Sequence, residues 1–171
     1  MKRTPEKTKL ILVCGLPGTG KTSVAEAIAK KTDARILSTD IIRKEMLSNP
    51  AYTEDEKTLV YSMLFNMAGM MLKDGRNVVL DGTFYKKELR DNVKELAVKT
   101  KSELSIIEVV CDERLIRERL AKRCKTCCAS DADFAVYKKL RKSFEQIKEK
   151  HFTIDTSGAW QKHAYEIAAQ I

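Results

Sequence analysis

The chain has 171 residues, 43% hydrophobic and 33% charged, with a formal net charge of +8. That length suits one domain over residues 1–171 with a proper core, and the absence of any run of ~18 apolar residues excludes a membrane-spanning helix. The start, Met1-Lys2-Arg3 then Thr4-Pro5-Glu6, lacks the apolar stretch of a secretory leader, so a cytoplasmic protein without membrane partners is expected.

Residues 1–9 read as a charged, frayed start. The apolar run Leu10-Ile11-Leu12-Val13-Cys14 is short enough for a buried strand. Residues 23–31 place Val24, Ala27 and Ile28 on one helical face. Between them, Gly15-Leu16-Pro17-Gly18-Thr19-Gly20-Lys21-Thr22 fits G-x-x-x-x-G-K-[ST] at every position. Glycines there let the backbone curl so that several N–H groups point at one phosphate. The helix N-terminus adds partial positive charge. Lys21 can reach the β- and γ-phosphates of ATP, and the Thr22 hydroxyl can ligate Mg²⁺. The expected nucleotide-binding residues are therefore Gly15, Pro17, Gly18, Thr19, Gly20, Lys21, Thr22 and Ser23. A chance glycine-rich turn is the competing reading, and the agreement of motif, strand and helix argues against it.

Arg35-Ile36-Leu37-Ser38 reads as a second strand and residues 40–47 as a short helix, broken by Asn49-Pro50. Thr53 with Glu56 forms a capping box that opens a long helix to about Lys73, ended by Gly75. Leu59, Met63, Met67, Met70 and Met71 fall at helical spacing in it. Core packing is expected of this stripe, with an adaptable binding wall as the alternative. Residues 77–80 form a third strand running into Asp81-Gly82, and residues 86–99 a helix. Residues 104–111 form a buried strand and residues 113–123 a helix. A long helix over residues 131–150 should turn Phe134, Tyr137, Leu140, Phe144 and Ile147 inward. Residues 152–155 make a last strand and residues 160–171 a last helix. Such alternation predicts an α/β fold, a central parallel sheet of about five strands with helices on both faces. Ligands of these sheets gather at the strand C-terminal ends, which nominates Asp40, Asp81, Asp112 and the Asp155-Thr156-Ser157-Gly158 turn.

Asp40 and Arg43 lie three residues apart at a helix start, on one face. A carboxylate there can take the proton of an attacking hydroxyl, and the arginine can hold an anionic or hydroxyl-bearing acceptor. The competing reading makes Asp40 an N-cap. Asp81 stands where P-loop proteins place the acid that reaches Mg²⁺ through water; otherwise it is a turn residue before Gly82. Arg114, Arg117, Arg119, Lys122, Arg123 and Lys125 crowd one segment, with Arg119 and Arg123 sharing a face. Arginines of a closing lid can neutralise the transferring phosphoryl group, and a solvated basic face is the alternative. Cys124-x-x-Cys127-Cys128 admits Zn²⁺ with a further ligand, a redox switch, or a plain loop. The positive charge favours anionic ligands and leaves nucleic acid open as a partner.

Together these residues resemble the small P-loop kinases, in the branch near polynucleotide kinase, over roughly residues 10–158. Ser38-Thr39-Asp40-Ile41-Ile42-Arg43, Leu80-Asp81-Gly82-Thr83-Phe84 and Ala129-Ser130-Asp131-Ala132-Asp133 also resemble the ATP-binding domain fused to aminoglycoside-phosphotransferase-like proteins. The resemblance implies a P-loop NTPase fold with a helical lid near residues 114–135. It implies Asp40 as general base, Arg43 as acceptor contact, and Arg119 and Arg123 as lid arginines. The 155–158 turn resembles the stretch beside the adenine base, which adds Ser157 to the nucleotide residues. The expected function is a kinase, dependent on ATP and Mg²⁺, acting on a hydroxyl of a small molecule or the 5′-hydroxyl of a polynucleotide. The alternative is a non-catalytic nucleotide switch or slow ATPase that regulates a partner. A pure switch needs neither the Asp40/Arg43 pair nor the arginines.

Overall fold

Leu10, Ile11, Leu12, Val13 and Cys14 are all fully buried, which requires a strand covered on both faces. The computed structural model describes residues 7–122 and 132–171. In it this run is β1 (Lys9–Cys14). The other strands are β2 (Ala34–Ser38), β3 (Asn77–Asp81), β4 (Glu103–Val110) and β5 (Phe152–Asp155). All pair in parallel in one five-stranded sheet of order β2-β3-β1-β4-β5. Among the described residues seven helices connect and flank them: α1 (Lys21–Thr32), α2 (Thr39–Met46), α3 (Glu54–Lys73), α4 (Lys87–Thr100), α5 (Glu113–Lys122), α6 (Phe134–Ser143) and α7 (Gln161–Ala168). This is the P-loop NTPase fold expected from the sequence.

The alternation of β1 sorts the core into two layers. Leu10, Leu12 and Cys14 pack with Leu64 and Ala68 of α3 and Val93 of α4. Ile11 and Val13 pack on the other side with Val24 and Ile28 of α1 and Ile167 of α7. Burial pushes the Cys14 thiol up to about 12, as suits a small core residue. Because β1 leads to one face and its neighbour β3 leads to the other, their C-terminal ends flank a crevice, the usual ligand position in such sheets. Among the described residues no helix is long and apolar enough to cross a membrane.

Two expectations are corrected. The helix expected over 131–150 ends at Ser143 within the described residues. Arg90, fully buried on α4, donates to the carbonyls of Phe84 (2.8 Å) and Glu145 (2.9 Å), and the Glu145 amide donates to Tyr85 O at 2.8 Å. Those bonds take the groups that a continuing helix would need. Phe144 and Ile147 still pack on the core, but from an extended strap. On α3 the buried stripe is Val60, Tyr61, Leu64, Ala68 and Leu72. Leu59, Met63 and Met70 are exposed, while Met67 and Met71 pack at the core margin. The two stripes lie side by side on the helix, and the methionines marked the wrong one.

Candidate active site

Strand register sets the site. Val13, Asp81 and Ser38 are level across β1, β3 and β2. The loop after β1, the acid ending β3 and the helix following β2 therefore converge at one height.

The β1–α1 loop has a backbone that only glycine fits at its ends. Gly15 has φ of +146°, and a Cβ there would lie 2.3 Å from Val109 O. Gly20 has φ of +90° and caps α1 without any side-chain acceptor, while the first turn carries no acidic residue. The helix N-terminus thus keeps its positive end for an anion. Lys21 Nζ donates to Leu16 O at 3.0 Å, arching over the loop.

Thr22 Oγ1 donates to Asp81 Oδ2 at 2.9 Å. Asp81 is 3% exposed, and its Oδ1 has no hydrogen-bond partner among the described residues. Burial raises its pKa; the Lys21 charge and the Thr22 hydroxyl oppose that in part. An orphaned carboxylate oxygen beside a hydroxyl is an oxygen donor set that fits a water-bridged Mg²⁺.

Asp40 is the second residue of α2, whose N-cap is Ser38, so the capping reading of Asp40 is not what the structure shows. Arg43, one turn on, is 7% exposed. Its Nη1 lies 4.0 Å from Glu56 Oε2, and the Tyr52 ring covers its guanidinium at 4.9 Å. Thr53 caps α3 by accepting from the Glu56 amide, and the Glu56 carboxylate reaches back to the Ala51 amide at 3.0 Å. It also accepts from the amide of Tyr52, which sits at φ +57°. The expected capping box is therefore half of what Glu56 does; the other half cages Arg43. Nε and Nη1 of Arg43 are buried and make no hydrogen bond among the described residues.

One cavity of about 350 Å³ joins these groups. Pro17, Gly18, Gly20, Lys21, Thr22 and Ser23 form one wall, and Asp40, Arg43 and Asp81 the floor beside it. The facing wall holds Tyr52, Lys57, Tyr61, Tyr85, Val136, Lys139 and Leu140. Apart from Leu140, expected as a core residue, sequence reasoning missed this wall. Its members come from the α2–α3 loop, α3, α6 and the β3–α4 loop and share no local spacing. Burial pushes the Tyr61 phenol well up, so it stays a neutral hydroxyl.

Residues 10–147 match a family described as an AAA domain. The chain belongs to that family. An uncharacterised protein of Mycobacterium tuberculosis is 31% identical over 115 residues, covering 60% of this chain and 23% of that protein. The AAA-domain chain thus spans about a quarter of the length of the curated relatives it matches. Among solved structures, the Mycobacterium tuberculosis APS kinase CysC in complex with AMPPNP and APS superposes with a TM-score of 0.74 at 14% identity, over 98% of this chain and 100% of that one. The Pnkp1/Rnl/Hen1 RNA repair complex matches with a TM-score of 0.68 at 19% identity, over 84% of this chain and 46% of that one. The fold of the AAA-domain chain is that of the P-loop kinases.

Not every residue nominated by the sequence reaches the cavity of this AAA domain. Gly15 shapes the loop from beneath, and the Thr19 hydroxyl turns inward to Leu16 O at 2.9 Å. Ser157 is exposed and accepts from the Asp112 amide at 2.8 Å, away from the cavity lining. Arg119 donates to Thr156 O (2.8 Å), Thr156 Oγ1 (2.9 Å) and Gly18 O (3.5 Å). It braces the phosphate loop through the Gly18 carbonyl and is not among the residues that line the cavity. Thr156, buried, completes the brace by donating to Thr19 O at 2.6 Å. The sequence marked that turn but not this threonine. Arg123, Cys124, Cys127 and Cys128, with residues 123–131 of the expected lid, lie outside the described residues. Among the described residues no group of three or more His, Cys, Asp or Glu is placed to hold a metal ion.

Proposed function

We propose that this AAA-domain protein is an ATP-dependent kinase that phosphorylates a hydroxyl acceptor. The observation that carries the proposal is the sharing of one cavity by the Lys21/Thr22 phosphate loop, Asp81, Asp40 and Arg43. A site that only bound nucleotide would not need a carboxylate and a buried arginine on the far side of the phosphate loop.

In this reading the amides at the start of α1 and the Lys21 ammonium bind the β- and γ-phosphates. Thr22 and Asp81 would hold Mg²⁺, which supplies positive charge against the phosphate oxygens. Asp40 orients the acceptor hydroxyl. Its oxygen forms a bond to the γ-phosphorus as the bond from that phosphorus to the β–γ bridging oxygen breaks. The hydroxyl proton passes to Asp40, and ADP carries away the bridging oxygen. Arg43 positions the acceptor, and Arg119 keeps the Gly18 segment of the loop in place.

The test is transfer of labelled γ-phosphate from ATP to a panel of acceptors, with Asp40→Ala as control. The panel holds 5′-hydroxyl oligonucleotides, nucleosides, sugars and aminoglycosides. Label on an acceptor that vanishes in the control is the expected result. ATP bound but no label anywhere would overturn the reading in favour of a nucleotide-dependent switch.

A further inference from the structure

Resting on the kinase reading, the acceptor half of the cavity carries information about what is phosphorylated. Among the described residues its charged lining, beyond the Lys21 and Asp81 of the nucleotide half, is Arg43, Lys57 and Lys139 against one carboxylate, Asp40. Lys57 is paired at the rim with the exposed Glu54 at 2.7 Å. Arg43 is held differently. Its guanidinium is out of water, Glu56 stands no nearer than 4.0 Å, and two of its buried nitrogens have no acceptor among the described residues.

A buried cation with unmade hydrogen bonds is costly unless a ligand completes it. A neutral hydroxyl compound would supply an acceptor atom but add no countercharge beyond Glu56 at 4.0 Å. A polyamine would add to the positive charge. A phosphate, sulfate or carboxylate satisfies both charge and donors. The Tyr52 ring covers the Arg43 guanidinium at 4.9 Å, and Tyr85 lines the same cavity. Arg43 is buried, and exclusion of water strengthens the attraction.

We propose that the acceptor is an anionic hydroxyl compound whose phosphate, sulfate or carboxylate is held by Arg43 together with Lys139 and Lys57. Neutral sugars and cationic aminoglycosides are poor ligands of this site. The anionic group can belong to a small metabolite or to an oligonucleotide, and the experiment separates the two.

The experiment is calorimetric titration into protein saturated with Mg²⁺ and a non-hydrolysable ATP analogue. The ligands are matched pairs: ribose against ribose 5-phosphate, glucose against gluconate, and a nucleoside against its 3′-phosphate. A 5′-hydroxyl oligonucleotide and an aminoglycoside complete the set. At least one anionic member should bind about tenfold or more tighter than its neutral partner, as a charge-assisted contact implies. Lys139→Gln should weaken that ligand severalfold, Lys139→Arg should retain it, and neither should change affinity for the ATP analogue. Tight binding confined to the oligonucleotide assigns the anion to a nucleic-acid backbone; binding of a small member assigns it to a metabolite. Equal or tighter binding of neutral or cationic members, no binding of any anion, or indifference to Lys139→Gln would overturn the proposal. Since the readout is binding, anionic binding without phosphoryl transfer would sink the kinase reading alone. Transfer to a neutral acceptor would sink only the assignment of acceptor charge.

Discussion

The Thr22 hydroxyl at the start of α1 and the Asp81 carboxylate at the end of β3 meet at 2.9 Å, and that bond fixes which Asp81 oxygen is left for a ligand. Oδ2 is engaged; Oδ1 is buried with no partner among the described residues. The fold thus holds a carboxylate that is poorly satisfied until something binds.

Asp81→Asn should therefore stabilise the ligand-free protein while weakening nucleotide binding. The folded-state pKa of Asp81 is raised by burial above its ordinary 3.8, so folding favours the protonated acid. The stability from that preference is complete below the ordinary value and is lost as pH rises through the raised one. At neutral pH the charge is a net burden, and the asparagine removes it. Calorimetric unfolding without ligand should show a Tm higher by on the order of 2–4 °C at neutral pH, with the gain shrinking as pH falls toward the carboxylate range. On the kinase reading, binding of ATP with Mg²⁺ should weaken by about tenfold or more, since a group proposed to act through the metal is lost. An unchanged Tm at neutral pH, or unchanged Mg²⁺-dependent affinity, would contradict this account of Asp81.

Arg119 offers a sharper choice between two roles. Its contacts to Thr156 and the Gly18 carbonyl make it a brace for the phosphate loop. Arg119→Lys keeps the charge but loses the fork that spans Thr156 and Gly18. The expected outcome is a KM for ATP raised about fivefold to tenfold with kcat within roughly threefold, the pattern of lost uniform binding. A kcat that collapses at unchanged KM would restore the lid-arginine reading.

Local signals carried much of the site and little of its far wall. The phosphate loop was legible because strand, glycines and helix are contiguous, and Asp81 because an apolar strand ends on it. Asp40 and Arg43 were legible as a pair on one helical turn. Tyr52, Lys57, Tyr85 and Lys139 converge only through tertiary packing, so no spacing announces them. The strap after Ser143 escapes a reading by period because Phe144 and Ile147 keep an apparent helical spacing while buried Arg90, 55 positions before Glu145, captures the Glu145 and Gln146 carbonyls between them. The α3 methionines misled for a related reason: hydrophobic residues flank the true stripe, and only the neighbouring sheet decides which face is covered.

Arg90 is the residue on which the strap depends. It is fully buried and donates to Phe84, Glu145 and, at 3.4 Å, Gln146 carbonyls. Arg90→Ala leaves those acceptors without their donor and opens a cavity, which should cost about 3–5 kcal/mol. The strap follows α6, which carries Lys139 and Leu140 into the cavity, and Tyr85 bonds it directly. Where the variant folds at low temperature, acceptor affinity should fall further than ATP affinity. Thermal unfolding and paired titrations measure both; equal losses for both ligands would remove the link to the acceptor wall.

Asp40 separates structure from chemistry most directly. A capping aspartate lost to asparagine or alanine would reduce stability by about 0.5–2 kcal/mol and leave turnover nearly alone. Ser38 holds the cap position and Asp40 lies inside the helix, facing the cavity. Asp40→Asn preserves shape and removes the proton acceptor. On the kinase reading kcat should fall by about 10²- to 10⁴-fold. The Tm should move by no more than about 1–2 °C, as for a change outside the packed core. ATP affinity should be unchanged, because the phosphate loop and Asp81 are untouched. Single-turnover phosphoryl transfer alongside nucleotide titration gives all three quantities on one protein preparation. Near-normal turnover would remove Asp40 as the base, and a large fall in Tm would return it to a structural role.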